Sequence, residues 1–343
     1  MDSRVEMDAV IFERVGQYKL AKITIPRIKA PDDLLVKIEC CSICGSDLHI
    51  LANPPGTEAM PNTVLGHEMV GEIVDVGENV TLFSQGDRVV CDPNISCGTC
   101  YQCRRGRPNM CENLHIHGVD YNGFFAEYAT IPERSAVKIS KELAPEMAVF
   151  AEPLTCVMSA INKIRLLPGE VVVVIGAGPI GLYFISLLKA NGASKVISVE
   201  PFEMRRQYAR KMGADVVIDP KAENAVEIIK SLTENHGADV VVDAVGVCIG
   251  DALQYICRGG RILLFGQNGA ATENICQNDI TRNEITVYGS YIGPHTLNAT
   301  VKLLESGLID FRKIITHKLP LRDFDVGLEA MRKGQALEVV LYP

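Results

Sequence analysis

The 343-residue chain contains no tryptophan, and aromatic residues together make up only 6% of it. It also lacks a positive excess: 34 Lys and Arg stand against 42 Asp and Glu, a formal net charge of −8. That balance offers no electrostatic footprint to nucleic acid or to an anionic membrane surface. Internal repeats and low-complexity segments are absent as well. No secretory leader is visible, because Met1 to Pro26 mixes charges among its apolar residues and has no apolar h-region. One apolar run, Val171 to Leu188, has the length of a membrane span, but Gly176, Gly178, Pro179 and Gly181 interrupt it. No transmembrane segment is expected.

What the chain does have is cysteine, twelve in all. Without a leader these fit a reducing cytoplasm, with thiolates on metals rather than in disulfides. Four of them, Cys97, Cys100, Cys103 and Cys111, follow the spacing C-x2-C-x2-C-x7-C in a turn-rich segment almost free of apolar side chains. Such a stretch cannot build a core of its own. Four thiolates can close a tetrahedral zinc shell, with sulfurs about 2.3 Å from the metal, that replaces the core. Two local disulfides or an iron–sulfur cluster are the competing readings. Cluster spacings of the C-x2-C-x2-C-x3-C-P kind do not match the long final gap, and zinc is preferred. A filled shell has no open position, so this site is structural and the chemistry lies elsewhere. The basic run Arg104-Arg105-Gly106-Arg107 reads as a solvated lobe surface offsetting the thiolate charge.

Length and a 47% apolar content allow about two domains, each with its own core. Up to about residue 150, short β-rich pieces alternate with Gly and Pro: Leu34–Ile38, Gly71–Gly77 and Asp87–Val90 read as strands of a small, irregular β-barrel. From about residue 154 the rhythm changes. Apolar strands at Val171–Ile175, Val196–Glu200, Val216–Ile218, Val240–Val242, Arg261–Phe265 and Ile285–Tyr288 alternate with helix-length segments. Fully apolar strands in that alternation argue for an α/β fold with a doubly wound parallel sheet covered on both faces. A terminal strand, Leu337–Leu341, follows two further helical stretches.

Gly176-Ala177-Gly178-Pro179-Ile180-Gly181 follows one of these strands and opens a helix. The first glycine permits the tight turn and the second lets backbone approach a pyrophosphate. The third allows close helix–strand packing, while the helix N-terminus holds the phosphate charge. The next strand ends at Glu200, where an acid can accept from both ribose hydroxyls and repel a 2′-phosphate. NAD is therefore favoured over NADP, although Arg205 and Arg206 just beyond could hold a phosphate.

Outside the quartet the barrel carries Cys44-Gly45-Ser46-Asp47-Leu48-His49 and Gly66-His67-Glu68, and Ala151-Glu152-Pro153-Leu154 follows the barrel region. Cys44 and His67 are good zinc ligands, and one carboxylate would complete a three-ligand site open to substrate. With the quartet, Gly123-Phe124-Phe125-Ala126-Glu127-Tyr128, the glycine turn and Thr316-His317-Lys318-Leu319-Pro320, these motifs resemble the medium-chain, zinc-dependent alcohol dehydrogenases over essentially the whole length. The branch resembled is that of polyol dehydrogenases and L-threonine 3-dehydrogenases.

The resemblance implies a GroES-like catalytic domain, residues 1–153 and 291–343, and a Rossmann domain, residues 154–290. It implies two zinc ions per chain and NAD as cofactor. Cys44 and His67 would bind the catalytic zinc together with Glu68 or Glu152, and members of the superfamily show either arrangement. Asp47 would orient the ligating histidine, Ser46 would take the proton of the substrate hydroxyl, and His49 would pass it on. Val245-Gly246 and Phe265-Gly266 would lie near the nicotinamide. Departures from the polyol pattern occur at Ile50, Ser159 and Ile292, where polar contacts to sugar hydroxyls are lost, while Ser46 stands where threonine dehydrogenases usually carry Thr.

The expected activity is reversible NAD-dependent oxidation of a secondary alcohol, a sugar alcohol first, with L-threonine or a small diol or simple alcohol as the alternative. A non-enzymatic NAD-binding redox sensor is the remote alternative. The expected partners are a small-molecule alcohol and further copies of the chain, as a homotetramer or homodimer, with no nucleic acid and no membrane.

Overall fold

The computed structural model describes residues 5–343. The chain divides into two compact units, one comprising the residues up to Thr155 with Pro294–Pro343, the other Cys156–Gly293. The bounds expected from the resemblance put the cuts at 153/154 and 290/291.

The first unit is built on a seven-stranded, mostly antiparallel sheet. Its order is Ile315–Pro320, Glu338–Tyr342, Asp33–Ser42, Glu68–Val76, Arg88–Cys91 and Ala136–Lys138, with Tyr128–Pro132 also pairing to Asp33–Ser42. The three strands read from sequence form the middle of this sheet. A hairpin not foreseen there, Glu6–Arg14 with Gln17–Thr24, turns at Gly16 in the left-handed region and packs Met7, Ala9 and Ile11 against Val64, Ala126 and Tyr128. Val10, Phe12, Leu34, Leu65, Phe124, Phe125 and Val339 belong to the main core, so strands distant in sequence share one apolar interior.

The second unit is a six-stranded, all-parallel sheet. Counting its strands along the chain, they lie in the order third, second, first, fourth, fifth, sixth: Val216–Ile218, Lys195–Val199, Val171–Ile175, Ala238–Asp243, Ile256–Leu264, Thr286–Gly289. Val172, Val173 and Val174 are fully buried, as are Val240, Val241 and Val242, which explains strands with no polar alternation. The order reverses beside Val171–Ile175, where such a sheet opens a crevice for ligand. The apolar run Val171–Leu188 is thus a strand and the start of the helix Pro179–Ala190. Pro145–Ile164 is long and apolar enough to cross a membrane, but 72% of its apolar window is buried within the molecule.

Candidate active site and metal centres

The strand Asp33–Ser42 delivers Cys44 to the start of a short helix, Gly45–Ile50. The Cys44 N–H donates to Asp47 Oδ2 at 2.9 Å, so the acid both caps the helix and is drawn beneath it, fully buried. Asp47 Oδ1 lies 3.5 Å from His67 Nδ1. His67 and Glu68 come from the start of the neighbouring strand, whose register sets Ser42 opposite Glu68. One ligand atom each of Cys44, His67 and Glu68 lie within 4.8 Å of one another. A thiolate, an imidazole and a carboxylate converging in this way fit a zinc site with one position left for substrate. Ser46 Oγ sits 3.2 Å from His67 Nε2, at the mouth of the same cluster.

The electrostatics suit a dication. Burial alone would keep the His67 imidazole neutral, but Asp47 and the Cys44 thiol beside it carry its pKa well above the ordinary value. Burial pushes the Glu68 carboxyl well above the usual range, and Cys44 and Glu338 add to it. Acidic groups therefore crowd the pocket around a single imidazole.

Of the two carboxylates left open by sequence, Glu68 joins Cys44 and His67, whereas Glu152, in the first turn of Ala151–Ile164, lies outside that cluster. Two groups were missed. The Ser42 hydroxyl donates a hydrogen bond to Glu68 Oε2, and the buried Glu338 stands near the same carboxylate. Cross-strand register, unreadable locally, is what assembles them. Ile50 is buried in the core and Ser159 is also buried, while Ile292 adopts φ 54°, rare for a β-branched residue. His49 is exposed near the end of its helix.

Among the described residues all twelve cysteines are free. Cys97, Cys100, Cys103 and Cys111 bring their sulfurs within 4.8 Å of one another, with Cys100 and Cys111 3.9 Å apart. A tetrahedron with sulfurs about 2.3 Å from its centre has edges of about 3.8 Å, so the quartet is spaced for zinc. Backbone N–H groups point at the sulfurs: Cys97 N to Cys111 Sγ at 3.3 Å, Asn113 N to Cys111 Sγ at 3.3 Å and Cys100 N to Cys97 Sγ at 3.4 Å. Donation led by the Thr99 N–H lowers the Cys97 thiol to about 5, and the Cys103 N–H lowers that of Cys100. Burial, with hydrogen bonds to Cys100 and Cys111, instead raises the Cys103 thiol to about 12, so the backbone donors favour thiolate at only part of the quartet.

In the second unit, Gly176 turns with φ 90°, and a Cβ at Gly181 would stand 2.0 Å from Gly176 O. Pro179 occupies the first position of the helix Pro179–Ala190, and Ile180 follows it. Asp243, absent from the sequence reading, accepts from the N–H groups of Val245, Gly246 and Cys248 at 2.8–2.9 Å. It thereby fixes the turn that lays Val245 against Gly176 and Gly246 against Gly266. Phe265 packs edge-on to Phe184, 5.1 Å between ring centroids. A pocket of about 520 Å³ opens beside this turn, lined by Asp243, Cys248, Gly266, Asn268 and Glu273 among others. Glu200 is 2% exposed, with Oε2 accepting from Ala177 N at 2.7 Å and Oε1 from Phe202 N at 2.9 Å.

Residues 30–141 match the family model of the alcohol dehydrogenase GroES-like domain, and residues 179–306 match that of the zinc-binding dehydrogenases. The chain is 41% identical to an L-threonine 3-dehydrogenase of Caldanaerobacter subterraneus subsp. tengcongensis, over 98% of this chain and 100% of that protein. It is 36% identical to D-arabinitol dehydrogenase 1 of Uromyces fabae, over 98% and 97% of the two chains. A zinc-binding dehydrogenase from Sinorhizobium meliloti 1021, solved bound to NADP, superposes with a TM-score of 0.94 at 33% identity, covering 99% of this chain and 100% of the other. The chain belongs to the zinc-dependent, medium-chain alcohol dehydrogenase superfamily. It is an NAD-dependent, zinc-containing alcohol oxidoreductase, with a GroES-like unit and a Rossmann unit.

Proposed function

We propose that the chain reversibly oxidises a secondary alcohol of a polyol to the ketone, with Cys44, His67 and Glu68 holding the catalytic zinc and the four clustered cysteines a structural one. The convergence of Cys44, His67 and Glu68 within 4.8 Å carries this reading. When bound, zinc lowers the pKa of the substrate hydroxyl and the oxidised nicotinamide takes up the hydride. The Ser46 hydroxyl, beside His67, accepts the substrate proton and His49 passes it to solvent. Asp47 fixes the His67 ring through its Nδ1 side, leaving Nε2 for the metal. Gly176, Gly178 and Gly181 with the helix N-terminus cradle the pyrophosphate, and the Val245–Gly246 and Phe265–Gly266 turns flank the nicotinamide. The reading includes a cytoplasmic setting, which suits free thiols, and a homodimer or homotetramer.

L-Threonine is the second reading, favoured by the 41% identity to a threonine dehydrogenase. The test is a panel of polyols, L-threonine and small diols with NAD, followed at the reduced-nicotinamide absorbance. Highest kcat/KM on a polyol supports the first reading. Highest kcat/KM on L-threonine overturns the polyol choice, and no turnover of any alcohol overturns the function.

A further inference from the structure

We infer that Asn268 is a site of spontaneous deamidation: the Gly269 nitrogen cyclises onto its side-chain amide, and the resulting aspartate and isoaspartate put a negative charge in the wall of the pocket beside the Asp243 turn. The chemistry at Asn268 stands by itself. Its effect on nucleotide rests on the reading that the Val245–Gly246 and Phe265–Gly266 turns flank the nicotinamide.

Asparagine is a chemically labile side chain, and most so before glycine, where no Cβ shields the following peptide nitrogen. The chain holds three such pairs, Asn122-Gly123, Asn191-Gly192 and Asn268-Gly269. Cyclisation needs a free N–H on the glycine, a side-chain amide able to turn onto it, and backbone free to adopt the geometry of a succinimide ring. Two of the pairs fail. At Asn122 the side-chain Oδ1 accepts from Val64 N at 3.0 Å, and Gly123 N–H donates to Val64 O at 2.7 Å. Gly123 is also buried against Gly66 and Gly118. At Asn191 the side-chain Nδ2 donates to Leu187 O at 2.7 Å and Gly192 N–H to Lys189 O at 3.1 Å. Both reacting groups are thus tied to the end of the helix Pro179–Ala190.

Asn268-Gly269 meets every requirement. Both residues are exposed, in the irregular segment between the strand Ile256–Leu264 and the helix Gln277–Arg282. Among the described residues the Gly269 N–H makes no hydrogen bond, and a Cβ at 269 would find nothing within 4 Å. Asn268 Oδ1 accepts from Ala270 N at 3.0 Å. That bond folds the side chain back over the Gly269 peptide and draws electron density from the amide carbon. The attack therefore starts from a conformation the loop already holds. Solvent base removes the Gly269 amide proton, the nitrogen bonds to Asn268 Cγ, and the side-chain nitrogen leaves as ammonia. Water then opens the succinimide at either carbonyl, giving aspartate or isoaspartate, and nothing is oxidised or reduced.

Asn268 lines the pocket of about 520 Å³ together with Asp243, Cys248 and Glu273. A carboxylate at 268 joins two acids there. Isoaspartate also lengthens the backbone by a methylene soon after Gly266, which packs on Gly246. Negative charge on this wall opposes a ligand that carries a pyrophosphate.

The experiment ages the zinc-loaded protein at mildly alkaline pH and maps its peptides by mass spectrometry, with an isoaspartyl methyltransferase as the second readout. Conversion should run at 268 at least about tenfold ahead of 122 and 191, whose backbone is held by hydrogen bonds, and should rise in proportion to hydroxide. Gly269→Ala should slow it about tenfold, because a Cβ hinders the peptide nitrogen. Asn268→Asp, which carries the product charge alone, should raise the NADH Kd about threefold in a fluorescence titration, the worth of one screened like charge. Aged protein that keeps Asn268 intact, or that converts Asn122 or Asn191 as fast, overturns the inference. So does conversion as fast in Gly269→Ala as in the parent. Conversion at 268 with NADH binding unchanged upholds the site and refutes instead the placing of these turns beside the nicotinamide.

Discussion

Replacing Gly123 by alanine should damage the proposed metal centre without touching a ligand. A Cβ at 123 would stand 2.0 Å from Gly66 O and 2.7 Å from both Gly118 Cα and Leu65 O. Carbon and oxygen approach comfortably to about 3.3 Å, so backbone must move by about 1.3 Å. Neither side can give cheaply. Gly123 N–H donates to Val64 O at 2.7 Å, Phe124 N–H to Gly66 O at 3.0 Å and Phe125 N–H to Leu65 O at 2.9 Å. Gly123 is not in the left-handed region, so the close contact alone is at issue. Overpacking costs about 1–3 kcal/mol, and weakening two of these hydrogen bonds costs about 1 kcal/mol each. A loss of about 3–5 kcal/mol is expected in urea unfolding of the zinc-loaded protein. Because Gly66 precedes His67, the shift should also weaken zinc retention against a chromophoric chelator, by about 10- to 100-fold. Gly269→Ala, with nothing within 4 Å of its Cβ, is the matched control. If Gly123→Ala unfolds within about 0.5 kcal/mol of the parent and keeps its zinc, the packing argument is wrong.

Two more outcomes follow from the same geometry. Asp47→Asn keeps an acceptor for the Cys44 N–H but removes the charge beside His67, and should weaken zinc binding about 10- to 100-fold in chelator competition; unchanged affinity would refute the orienting role. Glu146, bonded by Lys318 at 2.7 Å and by the Tyr342 hydroxyl at 2.9 Å, has its carboxyl lowered to about 2, chiefly by Lys318. An acid whose folded pKa is depressed stabilises the fold above its unfolded value of 4.5 and loses that contribution as pH falls towards 2. Glu146→Gln should therefore cost about 1 kcal/mol at pH 7, discounted for the exposure of Lys318, and the difference should vanish by about pH 2 in acid unfolding curves. A difference that persists or grows below the depressed value would contradict the ion-pair account.

Features written in short spans of sequence were readable, and features written across strands were not. The quartet closes within fifteen residues and the glycine turn within six, so spacing alone carries their geometry. Val171–Ile175 is legible because a strand buried on both faces leaves an unbroken apolar run, and Val216–Ile218, a partly buried edge strand, because Asp215 and Asp219 bracket it. The hairpin Glu6–Arg14/Gln17–Thr24 escaped because its second strand is largely exposed and polar, with only Gly16 marking the turn. Glu68 and Glu152 could not be separated, since each follows a plausible motif. The pairing of Ser42 with Glu68 across 26 residues, which brings Glu68 beside Cys44 and His67, is written in strand register and not in either motif. Glu200 lies where the motif puts it, at the end of the second strand, and its backbone partners Ala177 and Phe202 could not be read from the sequence.

The account is tested most directly by counting zinc and turnover together in Cys44→Ser. The parent should carry two zinc ions per chain by elemental analysis, and the variant one, with NADH still bound and NAD-linked alcohol oxidation lost. Cys100→Ser should also lose one zinc, but its defect should show first as proteolytic opening of the 97–111 lobe. A Cys44→Ser protein that keeps both zinc ions and turns over at the parent rate would contradict the assignment of Cys44, His67 and Glu68 as the catalytic centre.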